Sequence, residues 1–265
     1  MPATDTTGRM PVLFVSHGAP TLPFDDVPAR RFLIELARKV PRPKAILCVS
    51  AHWEAAVPSL TAAPQLPTIH DFSGFPKALY ELSYEAPGAP DLAERAAALL
   101  RDAGYAPRLD PERGRDHGAW VPAMLAWPAG EIPMVQLSLL RGQSTHGHVA
   151  LGQAIAALRD EGVLILCSGG AVHNLRGVIW DGGRTPRWAS EFQDWLDQQL
   201  GAGNTDALID YRGMIDSAQM AHPTEEHLMP LFVGIGAGLS DGGATKLHGS
   251  FTLGSLSMAS YGWGV

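Results

Sequence analysis

Ile46-Leu47-Cys48-Val49-Ser50-Ala51-His52 is a short apolar run that closes on a histidine, and it has two counterparts. Pro11 leads through Phe14-Val15-Ser16 to His17, and Val163-Leu164-Ile165-Leu166-Cys167 runs on through Ser168-Gly169-Gly170-Ala171-Val172 to His173. Apolar, β-branched runs bounded by Ser and Gly read as strands buried on both faces, the pattern of a parallel sheet. Open α/β sheets bind ligands at the carboxyl ends of their strands. The three histidines are therefore expected to converge on one crevice, and three of them at equivalent strand ends favour a metal site over three unrelated core residues.

Helical patterns alternate with these strands. Ala29–Val40 places Phe32, Leu33, Leu36 and Ala37 on one face and Arg31, Glu35, Arg38 and Lys39 on the other, and Pro41 and Pro43 stop it. With the strand Ala45–Ser50 it makes a β-α-β unit. Pro58 to Pro90 is rich in Pro, Gly and aromatics without a sustained period and reads as a long functional loop. A helix N-capped by Asp91 runs to Gly104, a strand covers Ile132–Leu139, and a helix Val149–Asp160 ends at Gly162. Trp188–Leu200 is amphipathic, and a last helix is expected from Thr224, with Glu225 and Glu226 in its first turn. The fold class is α/β, a single domain over 1–265 with a central, mostly parallel sheet flanked by helices and a metal site at the carboxyl ends of its strands.

Composition narrows the partners. The chain has 265 residues, 46% of them hydrophobic, and a net charge of −7. That leaves no basic footprint for nucleic acid, so a small-molecule substrate is the expected partner. No apolar stretch reaches the roughly 18 residues of a membrane span, and the N-terminus lacks the apolar core of a signal peptide, so the expected location is cytoplasmic. A homodimer stays open. Cys48 and Cys167 both fall inside predicted buried strands and read as structural, so nitrogen and oxygen must hold any metal.

His17 lies in Ser16-His17-Gly18-Ala19-Pro20 and His52 in Ser50-Ala51-His52-Trp53, and neutral imidazoles suit Fe, Zn or Mn better than Mg or Ca. The third ligand is sought among His222, Glu225, Glu226 and His227, with His227 favoured and His222 placed behind it. His117, in Asp116-His117-Gly118-Ala119-Trp120, and His173 are the acid/base and substrate-orienting candidates, with a turn cap for His117 and a fourth ligand or core residue for His173 as the alternatives. His70 and Trp120 join His117 as substrate-binding candidates, although His70 could instead bridge backbone groups. His146, His148 and His248 read as surface positions. Arg176, Arg184 and Arg187 either pair with a substrate carboxylate or are solvated.

The ordered motifs Ser16-His17-Gly18-Ala19-Pro20, Ser50-Ala51-His52-Trp53, Ile69-His70-Asp71-Phe72-Ser73-Gly74-Phe75-Pro76, Asp116-His117-Gly118-Ala119-Trp120 and Val172-His173-Asn174-Leu175 resemble the class III extradiol ring-cleavage dioxygenases. The nearest branch is the single-domain bacterial 4,5-DOPA type. The resemblance implies metal ligation by His17 and His52 with a third ligand near His227, acid/base duty for His173 and contact of His117 with substrate oxygens. It also implies Fe(II), with Zn(II) as a competitor, and a catechol and O2 as substrates, the ring opening outside the diol to a muconic semialdehyde. Relatives such as protocatechuate 4,5-dioxygenase complete the triad with Glu, whereas a histidine stands at 227. The rival is a zinc hydrolase on the same ligands with His173 or Glu226 as base, which lacks support from any His-Glu-x-x-His or Gly-x-Ser-x-Gly motif.

Overall fold

The computed structural model describes residues 8–180 and 182–265. Its strands are β1 (Val12–Ser16), β2 (Ala45–Ala55), β3 (Ser59–Thr61), β4 (Arg108–Asp110), β5 (Met134–Leu140), β6 (Val163–Gly169), β7 (Thr245–His248), β8 (Phe251–Thr252), β9 (Leu256–Ser257) and β10 (Ser260–Trp263). Eight of them form one sheet in the order β4-β3-β5-β2-β6-β1-β10-β7, while β8 and β9 pair separately. The apolar runs become its centre: β5, β2, β6 and β1 are mutually parallel. Antiparallel partners flank them, β3 on β5 and β10 on β1. The expected unit β1-helix-β2 exists, but β6 lies between its two strands and pairs with both.

Alternation within the central strands feeds two cores. Leu13, Val15, Ile46, Cys48, Leu164 and Leu166 face one side, where Phe32, Leu33 and Leu36 of the helix Pro28–Lys39 and Trp120 of the helix His117–Ala126 cover them. Val12, Phe14, Leu47, Val49, Ile165 and Cys167 face the other, beneath the helices Pro90–Asp102, Thr145–Ile155, Arg187–Ala202 and Met229–Gly238. Both faces of each strand are thus removed from water, which is why these strands read as unbroken apolar runs rather than alternating ones. The two thiols sit in opposite cores, and burial raises the pKa of each, as inert packing residues require.

Several boundaries differ from the sequence reading. The helix expected from Asp91 starts at Pro90 with Ala89 before it and no side-chain cap, because the proline ring presets the first helical φ without needing one. Ser144 caps the helix Thr145–Ile155, which then tightens into a 3-10 turn, Ala156–Glu161, closed by Gly162 at φ 88° as expected. The last helix begins at Met229 rather than Thr224. Pro230 lacks an N–H and restricts the residue before it, so 224–228 stays a series of turns. Within Pro58–Pro90 the short β3 and the helix Lys77–Tyr80 interrupt the loop. No helix among the described residues is long and apolar enough to cross a membrane.

His148, expected at the surface, is instead buried. Its Nε2 accepts the Leu140 N–H at 3.2 Å and its Nδ1–H donates to the Ser144 carbonyl at 2.9 Å, so it ties the end of β5 to the next helix. His222 is also fully buried, its Nε2–H donating to the Ala171 carbonyl at 3.0 Å. Burial pushes its pKa down to about 4 from 6.5, and its Nδ1 has no partner to accept or share a proton. The folded chain therefore resists a proton that the unfolded chain accepts, so stability present above about pH 6.5 is lost as the pH falls toward 4.

Two predictions follow from this packing. Where the helices Thr145–Ile155 and Met229–Gly238 cross, a Cβ on Gly236 would lie 1.9 Å from the Val149 carbonyl oxygen, whereas one on Gly201 would meet nothing within 4 Å. Gly236→Ala should cost about 1–3 kcal/mol in urea denaturation, and Gly201→Ala should leave stability equal or raise it by about 0.5–1 kcal/mol. Lowering the pH from 7 to 5 should remove about 2 kcal/mol through His222 alone. His222→Gln should accordingly show a smaller acid loss than the parent in the same titration, and an equal loss would refute the assignment.

Candidate metal centre

Backbone geometry brings His17, His52, His117, His173 and His227 to one end of the sheet, where all five line a single cavity of about 680 Å³. His17 directly follows β1, and its N–H donates to the carbonyl of Gly169, the last residue of β6, at 3.0 Å. His52 is inside β2, not at its end: the strand continues to Ala55, and its register with β5 breaks between Val49 and Glu54. That irregularity turns the side chain out of the ladder. His173 lies beyond the end of β6, at Gly169, held by its N–H to the Ala221 carbonyl at 3.0 Å. His227 occupies the turns before Met229–Gly238, with its carbonyl accepting the Gly170 N–H at 2.8 Å. His117 is the first residue of His117–Ala126, whose N-cap Asp116 accepts the Ala119 N–H at 3.2 Å.

Close approach of that helix depends on Gly118. A Cβ there would stand 2.3 Å from Ser50 Oγ and 2.9 Å from the His52 ring. The Gly118 carbonyl accepts the Ser168 hydroxyl, leaving the Ser168 oxygen to accept from His17 Nδ1 at 3.0 Å. His17 is thereby fixed with its proton on Nδ1 and a bare lone pair on Nε2. The His227 Nδ1–H likewise donates to Glu226 at 3.0 Å, which leaves its Nε2 bare. A carboxylate or hydroxyl behind an imidazole is the usual arrangement of a metal-ligating histidine.

Facing nitrogens supply the test of fit. His17 Nε2 and His52 Nε2 stand 3.0 Å apart, and one ligand atom from each of His17, His52 and His227 lies within 4.8 Å of the others. Burial, followed by the neighbouring imidazoles, holds the His17 pKa well below its usual value and that of His52 at about 2. A proton is thus an unfavourable bridge between them, and nitrogen ligands about 2.0–2.1 Å from one metal come to a similar separation. Three imidazoles whose ligand nitrogens lie this close together fit a divalent transition metal. The groups His52-Asp71-His117 and His173-Glu226-His227 overlap this set but include the carboxylates that brace it.

The remaining side chains divide clearly. The His173 ring stacks on His227 at 3.5 Å between centroids, and burial plus His227 brings its pKa down to about 3. His117 packs on His52 at 3.9 Å, with Asp71 Oδ1 3.0 Å from its Nδ1, off the hydrogen-bonding direction, and 2.9 Å from its backbone N–H. Burial raises the Asp71 carboxyl, but His117 outweighs it and holds the pKa at about 2.

Two expected substrate contacts are corrected. Trp120 is fully buried and spends its indole N–H on the Ile69 carbonyl at 3.0 Å, and His70 bonds the Leu82 carbonyl at 2.9 Å; neither lines the cavity. They fix the 69–82 loop from behind. Arg176 and Arg184 are exposed outside the lining and Arg187 pairs with Glu191 at 2.6 Å. Glu226 lines a different, polar cavity of about 510 Å³ that it shares with Glu54, Arg212 and Glu225, so it braces His227 rather than facing a reactant. Sequence reasoning assigned no role to Asp71, Ser168 or Gly118, although each stands beside a quoted histidine motif or strand.

The comparisons agree along the whole chain. Residues 12–263 match the family model described as the catalytic LigB subunit of aromatic ring-opening dioxygenase. The chain is 41% identical over 252 residues to the 4,5-DOPA dioxygenase extradiol of Beta vulgaris, covering 94% of each, and 40% identical over 257 residues to that of Escherichia coli (strain K12), covering 95% of this chain and 94% of the relative. A crystal structure of an uncharacterized Escherichia coli K12 protein superposes with a TM-score of 0.81 at 35% identity, covering 97% of this chain and all of the other. With the family model matched over residues 12–263 and the fold and length shared with these relatives, the chain belongs to the class III, LigB-type extradiol dioxygenase family and is an extradiol ring-opening dioxygenase.

Proposed function

We propose that the chain opens a catechol ring with O2 at a site where His17, His52 and His227 hold Fe(II). The observation that carries this reading is the His173 imidazole, stacked on His227 and lining a largely apolar cavity, with no side-chain hydrogen-bond partner among the described residues. Bound Fe(II) would supply the redox chemistry that lets O2 react with a coordinated diol. Everything else falls to the side chains. Phe72, Phe75, Leu22, Val27 and Met258 offer apolar walls for a flat ring and keep bulk water away from it.

His173 takes the proton of one catechol hydroxyl and returns it as the ring carbon bond beside the diol breaks, which puts both oxygen atoms of O2 into a muconic semialdehyde. Burial keeps that imidazole unprotonated at rest, so its lone pair is free to take the proton. His117, on the other side of the ligands and beside Asp71, orients the substrate oxygens. Glu226 keeps His227 in its ligating tautomer. The hydrolase reading loses its carboxylate base to this arrangement, because Glu226 faces the other cavity.

O2 uptake after anaerobic Fe(II) loading, run on a panel of catechols with Zn(II)-loaded enzyme as control, tests the reading; a yellow, pH-sensitive product is expected. His173→Phe should keep its metal and lose about 100-fold or more in kcat. Full activity in that variant would remove His173 from the mechanism. Glu226→Ala should weaken metal affinity about 10- to 100-fold, read by competition with a chelator.

A further inference from the structure

The cavity above the histidines is lopsided in charge. Among the described residues its lining includes Asp25 and Asp26, from the segment that follows β1, and not one lysine or arginine. Asp26 is neutralised by an ion pair with Arg31. Asp25 is not: it is half-buried, its Oδ2 accepts the Thr21 hydroxyl at 2.8 Å, and among the described residues no cation lies within ion-pairing distance of it. Trp180, 78% exposed, lines the same cavity and offers the face of an indole. An unpaired carboxylate and an aromatic face are the two groups that recognise an ammonium ion.

We propose that the outer part of this cavity is an ammonium subsite centred on Asp25, so that the enzyme prefers catechols whose side chain ends in an amine over those whose side chain ends in a carboxylate. The inference rests on the ring-opening reading above and adds to it what the site selects. An amine brought in on the ring gains an ionic partner in Asp25 and a π face in Trp180. A carboxylate entering by the same route meets the charge of Asp25 and finds no basic side chain in the wall to offset it, since Arg176 and Arg184 lie outside the lining. For a substrate that carries both groups, the ammonium is the one recognised.

The Fe(II)-loaded enzyme should be assayed with 3,4-dihydroxyphenethylamine, the uncharged 4-methylcatechol and 3,4-dihydroxyphenylacetate. The amine should exceed the acid in kcat/KM by at least about fivefold, with the uncharged ring between them, and the gap should narrow as salt rises. Asp25→Asn should shrink the amine-to-acid ratio by a similar factor. Direct titration with phenethylamine and phenylacetate, which have no diol to cleave, gives a second readout by calorimetry; the amine should bind tighter, and Asp25→Asn should abolish the difference.

An acid bound or turned over as well as the amine, or a ratio unmoved in Asp25→Asn, overturns the subsite. Turnover of 4-methylcatechol alongside such a result would leave ring opening intact. Failure of all three catechols would count against the reaction itself, and the titration would then decide the subsite by itself. Should Asp25→Asn fold poorly, the salt dependence of the parent's ratio serves, since a charge-based preference must weaken with ionic strength and a shape-based one must not.

Discussion

Buried imidazoles packed this closely resist holding a proton at rest. His17, His52, His117, His173 and His227 line one cavity, with neighbouring rings 3.5 to 5.5 Å apart, and a charge on His17, His52 or His173 would sit beside other imidazoles with little water to screen it. Burial therefore keeps His17, His52 and His173 neutral, and the bare Nε2 atoms of His17 and His52 face each other at 3.0 Å. Such an arrangement is stable only if something cationic gathers the lone pairs or the backbone holds the rings in place regardless. The structure does the second: Ser168 holds the His17 ring and Glu226 the His227 ring from behind, and Asp71 stands beside His117.

Holding the rings in place is the work of the parallel sheet. β1 and β6 end side by side, so the histidine after one and the loop after the other are forced into contact, and His52, in the stretch where the register of β2 with β5 breaks, reaches His17. The fourth direction comes from His117–Ala126, whose first turn can lie against the ligands because residue 118 has no side chain. Local irregularity at each of these points is compensated by the regular, fully buried strands behind it.

Much of this was legible in the residues. The apolar runs before His17 and His52 identify central strands because both faces of such strands are buried, and that one fact predicts the parallel sheet and the end on which the site lies. His227 could be preferred over the neighbouring acids, yet for an incomplete reason: the helix thought to display it starts later, at Met229, and a proline at 230 decides that. His148 and Trp120 were misplaced because period and composition report how apolar a neighbourhood is, not which carbonyl a polar atom finds there. Asp71, Ser168 and Gly118 escaped notice for a related reason. Their importance is a matter of contact across 46 to 151 positions of chain or of empty space, and neither leaves a local signature.

The pairing of β1 has a consequence for the order of events during synthesis. This strand is among the first made, but its neighbours are residues 163–169 on one side and 260–263 on the other. His17 consequently waits unsupported while the intervening chain emerges, and His227 joins it only near the end. Contacts of such long range form slowly, and a chain caught before they close exposes apolar strands. A complete set of the three imidazoles proposed to hold the metal is therefore a property the molecule acquires last, after translation has all but finished.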